Sequence, residues 1–357
     1  MTLYDRAALA RALAQVPGFA PLTADDLEEL DADGIAHAHV RVRGHARLVR
    51  VPRFSQVASD ARAHLEYQAA CFRRAVASGA TPRLIGVLAP GDGLPMGGLV
   101  VEEILGRVPR LPDDLPALAE ALARLHALAV PPPGARPPLL DHADDPLAGA
   151  RAHLARQAAL LDDDDAVAPV LAPASRAILR EELAALAPRL DALAGAPQPA
   201  SLIAFDCHPG NFLIEASGRA VLVDLERVQY GAPASDLAHA SLPSSTLWDR
   251  RIDVALTRRE LARFYRLYRR RLDAAAAARL APWLAPYRRL IFLRSTTWFV
   301  RFLVETRAGR WSAGSLDPAF LAEVARRIGG LLEPARLEAM RAEWRAADPF
   351  DPAAAFA

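Results

Sequence analysis

The chain has 357 residues, with 43 basic and 42 acidic side chains and a net charge of +1. That balance excludes a protein that grips nucleic acid chiefly by neutralising phosphates. The length suits two or three compact units or one two-lobed enzyme, at roughly 100–200 residues per domain. The 52% of hydrophobic residues is ample for a large core. All basic residues are arginine, so neither a Schiff-base lysine nor a phosphate-binding lysine exists in this chain.

In chain order, residues 5–15 read as a short amphipathic helix. The residues Asp5, Arg6 and Arg11 interrupt the stretch where a secretory apolar region would lie. No run has the length to cross a bilayer, and two cysteines cannot build a disulfide framework. The expectation is a cytoplasmic protein without membrane partners. Residues 35–42 alternate, Arg43-Gly44-His45 turns, and 46–51 run extended, which predicts a β-hairpin. Ser59 is placed to cap a helix carrying Leu65, Ala69, Phe72 and Val76, with Gly79 at its end. Residues 84–88 and 99–104 read as strands. The first hundred residues are therefore hairpin, helix, strand, strand.

Beyond Gly106 the pattern turns helical. Asp113 or Asp114 can cap a helix through Leu118, Leu122, Leu125 and His126, and a proline-rich connector follows at 131–138. Residues 146–194 are Ala/Leu/Arg-rich and helical in pattern, broken by Asp162–Asp165, a run read as solvated. Residues 211–215 and 220–224 form a second hairpin around Ala216-Ser217-Gly218. Thr257 with Glu260 fits a capping box. Leu261, Phe264, Tyr265, Tyr268 and Leu272 then form one stripe, and a last apolar helix covers about 287–305.

The chemistry concentrates in Phe205-Asp206-Cys207-His208-Pro209-Gly210-Asn211 and, across the hairpin, Val223-Asp224-Leu225-Glu226. In phosphoryl transfer an Asp orients a hydroxyl and takes its proton. An Asn and a second Asp offer hard oxygen ligands to Mg²⁺ on the ATP phosphates. The hairpin returns Asp224 beside Asn211.

This segment resembles the catalytic loop of the aminoglycoside phosphotransferase and choline kinase-like family, relatives of the protein kinases. The matching residues are Asp206, His208, Pro209, Gly210, Asn211, Asp224 and Glu226, followed by Asp236-Leu237-Ala238. The resemblance implies an α+β, two-lobed protein-kinase-like fold. Residues 1–105 would be a nucleotide-binding lobe of antiparallel sheet and one helix. Residues 106–357 would be a helical lobe with the catalytic loop and acceptor site. It implies Asp206 as catalytic base, Asn211 and Asp224 as Mg²⁺ ligands, and a structural Asp236. On the nucleotide side it implies Arg50 as the strand cation, Glu66 as its helix partner, and Glu102 in the strand that meets adenine. ATP and Mg²⁺ are the cofactors, and the acceptor is the hydroxyl of a small molecule. The family usually has His at position 204 and Lys at position 50; this chain has Ala204 and Arg50, with Arg53 a nearby substitute. The stretch from Gly34 to His39 is poor in glycine for a phosphate-covering loop. These departures motivate the alternative of a nucleotide-binding pseudokinase. A cysteine hydrolase using Cys207 is a third reading, disfavoured because adjacent residues rarely assemble a triad. Glu226, Asp249 and Glu305 are candidates for attracting a cationic acceptor, and Trp283, Trp298, Phe299 and Trp311 for lining its pocket.

Overall fold

The computed structural model describes residues 3–30, 34–55, 60–311 and 316–356. After helix α1 (Arg6–Leu13) come strands β1 (Leu27–Leu30), β2 (His37–Val42) and β3 (Arg47–Pro52). Helix α2 (Ala61–Ala75) and strands β4 (Leu84–Leu88) and β5 (Gly98–Glu102) follow. The strands form one antiparallel sheet in the order β1-β2-β3-β5-β4.

Successive side chains of a strand point to opposite faces, and this divides the sheet's two jobs. Val40, Val42, Val49, Val51 and Val100 turn towards α1 and pack with Leu9 and Leu13. Leu99 and Val101 turn the other way and join Leu65, Ala69 and Phe72 of α2 in the core shared with the rest of the chain. Arg50, between Val49 and Val51, necessarily points to that second face. The cap of α2 is Asp60, whose side chain accepts from the amide of Ala63; the expected cap, Ser59, lies outside the described residues.

Strand β6 (Gly106–Arg107) opens the second part of the chain, and α3 (Leu115–His126) follows. Asp114 precedes α3, but its carboxylate binds Arg107 and the amide of Arg110 rather than capping the helix. Helices α4 (Pro146–Ala158), α5 (Asp164–Val167) and α6 (Pro173–Asp191) come next. The acidic run is a cap and two surface ion pairs: Asp163 accepts from Ala166 N, Asp162 pairs with Arg180, and Asp164 pairs with Arg176. Strand β7 (Ser201–Ile203) leads to the hairpin of β8 (Phe212–Glu215) and β9 (Ala220–Leu222), and β10 (Gln229–Gly231) returns to pair with β7. Strand β6 pairs with β8, so the connection from the sheet docks directly on the hairpin.

The rest is helical: α7 (Pro233–His239), α8 (Pro243–Thr246), α9 (Arg258–Arg269), α10 (Ala274–Arg307), α11 (Pro318–Leu331) and α12 (Pro334–Arg345). The Thr257–Glu260 capping box opens α9. Helix α10 begins at its Asp273 cap, well before the expected start, and runs through Pro282 and Pro286. It packs on α4, α6, α7 and α11 and is the spine of the helical part. An α+β fold of two lobes results, with a cleft between them.

Candidate active site

The cleft has a volume of about 910 Å³. Strands β2, β3 and β5 form one wall. The loop 205–211 and residues 223–227 form the floor. Helices α4, α8 and α10 close the far end.

The floor is built around Asp236 at the buried start of α7. Its two carboxylate oxygens accept from the amides of Ala204 (2.6 Å) and Phe205 (3.0 Å). His126 of α3 stands 3.1 Å from the same carboxylate and 2.9 Å from the hydroxyl of Tyr268 on α9. Phe205 has a φ of 65°, a left-handed conformation that costs a bulky residue of order 1–3 kcal/mol. It is clamped from the other side as well. Arg294 of α10 donates to its carbonyl at 2.9 Å, and the guanidinium groups of Arg294 and Arg227 lie 4.3 and 4.8 Å from its ring centre. With Ala at position 204, the loop is held by a carboxylate beneath it and a guanidinium beside it.

This turn presents Asp206 to the cleft with its side chain 42% exposed, and His239 Nδ1 3.7 Å from Oδ1. Burial of the carboxyl pushes its pKa above the ordinary Asp range. Asp224 adds to the rise, while His208, Arg294 and Arg227 oppose it. Asn211 Nδ2 donates to the carbonyl of Asp206 at 2.9 Å, which leaves Oδ1 as the side-chain oxygen for a ligand. His208 Nδ1 accepts from Gly210 N at 3.2 Å. Gly210 is required here, because a Cβ would come within 1.9 Å of Asp249 Oδ2.

Asp224 lies just beyond β9. Arg50 Nη2 is 2.7 Å from its Oδ1, and Arg50 Nη1 donates to the carbonyl of Val223 at 3.0 Å. Burial alone would raise the Asp224 pKa. The Arg50 guanidinium, helped by His37 and His39, holds it below the usual range. Ligand atoms of His37, Asp224 and Glu226 lie within 4.8 Å of one another. Arg50 occupies that cluster too, 3.3 Å from His37 Nδ1, and burial and Asp224 push Glu226 up to about 8. A permanently charged guanidinium beside a carboxyl that holds its proton is a poor three-ligand metal site. Asn211 Oδ1 and the Asp224 carboxylate, by contrast, are hard oxygen donors that suit Mg²⁺, which keeps much of its shell for water and phosphate.

Asp206, Asn211, Asp224 and Arg50 therefore line one cleft. Arg50 is among the residues lining the cleft and Arg53 is not; the charges that act on Arg53 are those of Glu29 and Tyr4. Glu66 requires a correction. It is exposed on α2, opposite the buried His64, Leu65 and Gln68, and Arg50 takes Asp224 as its ion partner instead. On α2, the ring centre of Phe72 lies 5.8 Å from the Arg50 Cζ. Glu102 lines the cleft, but its amide donates to Arg83 O and its carboxylate accepts from Arg83. The cleft wall continues through Ile104 and Leu105. Cys207 is fully buried, its thiol pKa pushed up chiefly by burial and its Sγ directed to Asp236 O at 3.2 Å, unsuited to a nucleophile. Trp298, Phe299 and Trp311 line the cleft, whereas Trp283 is core, with Nε1 donating to Pro197 O. Composition alone did not reveal the Arg294–Phe205–Asp236 brace; the only sequence signal was Asp236 itself.

A sheet of five antiparallel strands with one helix, set over a helical lobe whose Asp/Asn/Asp residues face the intervening cleft, defines the class of kinase-like phosphotransferases. The comparisons agree. The sequence model of the phosphotransferase enzyme family (APH) matches residues 29–283, and the chain belongs to that family. Among curated proteins no sequence matches the chain. A choline/ethanolamine kinase family protein from Mesorhizobium loti is similar over 99% of both chains, at 20% identity and a TM-score of 0.56. Ethanolamine kinase from Plasmodium vivax is 14% identical, over 92% of this chain and 86% of its own, with a TM-score of 0.56. A GDP complex of an aminoglycoside 2'-phosphotransferase-IIIa is 17% identical, over 94% and 98%, with a TM-score of 0.56. At these identities the structural likeness carries the fold; with the family match, it makes the chain a small-molecule kinase. Among the described residues, no helix is long and apolar enough to cross a membrane.

Proposed function

We propose that this protein transfers the γ-phosphoryl group of ATP to a hydroxyl of a small molecule, with Asp206 as the catalytic base. The observation that carries the reading is the gathering of Asp206, Asn211, Asp224 and Arg50 along one cleft. Residues 1–105 form the nucleotide-binding lobe and 106–357 the acceptor lobe. The apolar end of the cleft, with Leu48, Val101, Ile104 and Leu213, suits a purine base. Arg50, already tied to Asp224, offers its guanidinium to phosphate oxygens. Mg²⁺, held by Asn211 and Asp224, would neutralise phosphate charge. Asp206 orients the acceptor hydroxyl and takes its proton. The hydroxyl oxygen bonds to the γ-phosphorus, the bond to the bridging oxygen breaks, and ADP leaves with that electron pair. Positioning and charge neutralisation supply most of the rate.

The test is acceptor-stimulated ADP release with Mg·ATP across a panel of hydroxyl compounds. Asp206→Asn is expected to lower kcat by about 10²–10⁴-fold, and Asp224→Ala to abolish the Mg²⁺-dependent part of the thermal shift by ATP. An unchanged rate in Asp206→Asn would remove the base from the mechanism. The pseudokinase reading rests on Ala204 and on the glycine-poor stretch from Gly34 to His39; against it, the loop is braced without a histidine at 204 and Asp206, Asn211 and Asp224 are all retained along the cleft.

A further inference from the structure

The half of the cleft beyond Asp206 has an unusual charge. Its described lining includes Arg156 of α4, Arg227, Arg251 and, on or just after α10, Arg294, Arg301 and Arg310. Two carboxylates stand among them. Asp206 is the base of the proposed reaction, and Glu305 is paired with Arg301 at 2.8 Å and Arg310 at 3.6 Å. Asp249, behind the loop, is held by Arg251 at 2.7 Å, and Glu226 faces His37 on the nucleotide side. None of the three acids considered for a cationic acceptor is therefore available to one.

The cations are less well matched. Among the described residues, neither Arg156 nor Arg294 forms an ion pair. Arg294 is 6% exposed, uses Nη2 on Phe205 O, and leaves Nη1 buried without a partner. A buried guanidinium with an unused N–H edge is costly unless something accepts from it. The neighbouring groups repeat the pattern: Ser295 Oγ, Ser244 Oγ and Trp311 Nε1, all lining the cleft, are likewise buried and unpartnered. Each can donate a hydrogen bond, and none is an ionised acceptor. The local field is positive enough to be felt by His153 of the same wall. Burial first, then the charges of Arg294, Arg227, Arg156 and Arg301, hold it down at about 3.

We infer that the acceptor is an anion: a small hydroxyl compound carrying a carboxylate or equivalent oxyanion, which Arg294 and Arg156 bind while its hydroxyl is presented to Asp206. This inference rests on the phosphotransfer reading and sets its substrate class. Trp248 and Trp298, whose ring centres are 6.3 Å apart, offer an apolar face to the carbon skeleton. An ammonium-bearing acceptor would bring a like charge into this pocket without a free carboxylate to meet it.

The experiment compares open-chain triples in which one terminal group is carboxylate, hydroxymethyl or aminomethyl: gluconate, glucitol and 1-amino-1-deoxyglucitol; glycerate, glycerol and 3-amino-1,2-propanediol. ADP release with Mg·ATP gives kcat and KM, and calorimetry with a non-hydrolysable ATP analogue and Mg²⁺ gives binding. The anionic member of a triple is expected to be favoured at least tenfold in kcat/KM or in affinity, with KM rising as salt is added. Arg156→Gln, on the surface of α4, should raise the KM for the anion about tenfold and leave the KM for the neutral member and for ATP where they were, so that the charge preference itself is lost. Arg294→Lys should do the same with some loss of kcat, because the loop clamp is altered. Preference for the ammonium member, equal use of all three, or no anion effect in Arg156→Gln overturns the inference while leaving phosphotransfer intact. Absence of turnover with every member strikes at the phosphotransfer reading instead, and the calorimetric comparison then decides the charge preference by itself.

Discussion

Asp206, the proposed base, has a pKa raised by burial, so its carboxylate is ionised over a narrower range than that of an ordinary aspartate. Activity should fall on the acid side with an apparent pKa above the usual Asp value of about 3.9, seen in kcat/KM against pH; an acid limb at or below that value would contradict the burial argument. Glu66 tests the opposite case. Exposed, and not the ion partner that Arg50 takes, it should tolerate Glu66→Ala with a stability change within about 0.5 kcal/mol and no change in the KM for ATP; a raised KM would restore it to the nucleotide site. These residues also mark how far the sequence could be read. That the loop Asp and Asn and the hairpin Asp would meet along one cleft was legible, because phosphoryl transfer calls for those groups in that order and the hairpin turns the chain back. Glu66 was misplaced because helix phase cannot be fixed from one short stripe: a turn of 100° separates Leu65 from its neighbour and moves it from core to solvent. Arg50 against Arg53 was undecidable for the complementary reason, since Pro52 between them hides which face each takes.

At the level of elements, the catalytic loop is held by α7 from below and α10 from the side. Asp236→Ala would strand the amides of Ala204 and Phe205 in a buried setting and remove the partner of His126. It should cost about 3–5 kcal/mol in chemical denaturation and lose activity with it, and, by freeing the loop that carries Cys207, it should open that buried thiol to alkylation. A stable, unreactive variant would mean the loop is held otherwise. Asp249 makes the electrostatic counterpart. Its pKa is lowered, against burial, by Arg251 and His208, so the stability it contributes is present above the unfolded value near 3.9 and is lost as pH falls through the lower folded value. The deficit of Asp249→Asn in melting temperature should accordingly be largest near neutrality and shrink below pH 4; a pH-independent deficit would assign it to packing. Most of the elements were legible from periodicity. Helix α10 was half-read because Pro282 and Pro286 look like breaks, yet each removes one donor from a helix whose buried face repays continuity. Strands β1, β7 and β10 are only three or four residues long and take their pairing from distant partners, which no local pattern records.

Across the whole molecule, contacts between the two lobes reach the chemistry itself. One is Arg50 on Val223 and Asp224; another is Phe54, just past β3, edge-on to Trp311 at 5.2 Å beyond α10. Arg50→Ala should therefore weaken ATP binding more than acceptor binding, read as separate KM values; the reverse ranking would move the phosphate contact elsewhere. Arg50→Lys keeps the charge but offers one ammonium where the guanidinium spans a carbonyl and a carboxylate, so only part of the loss should return. The guanidinium has one more consequence. A reagent that maps nucleotide pockets by acylating a lysine amine would find none to label anywhere in this chain, and its silence here would report the chemistry of the probe and not the absence of a pocket.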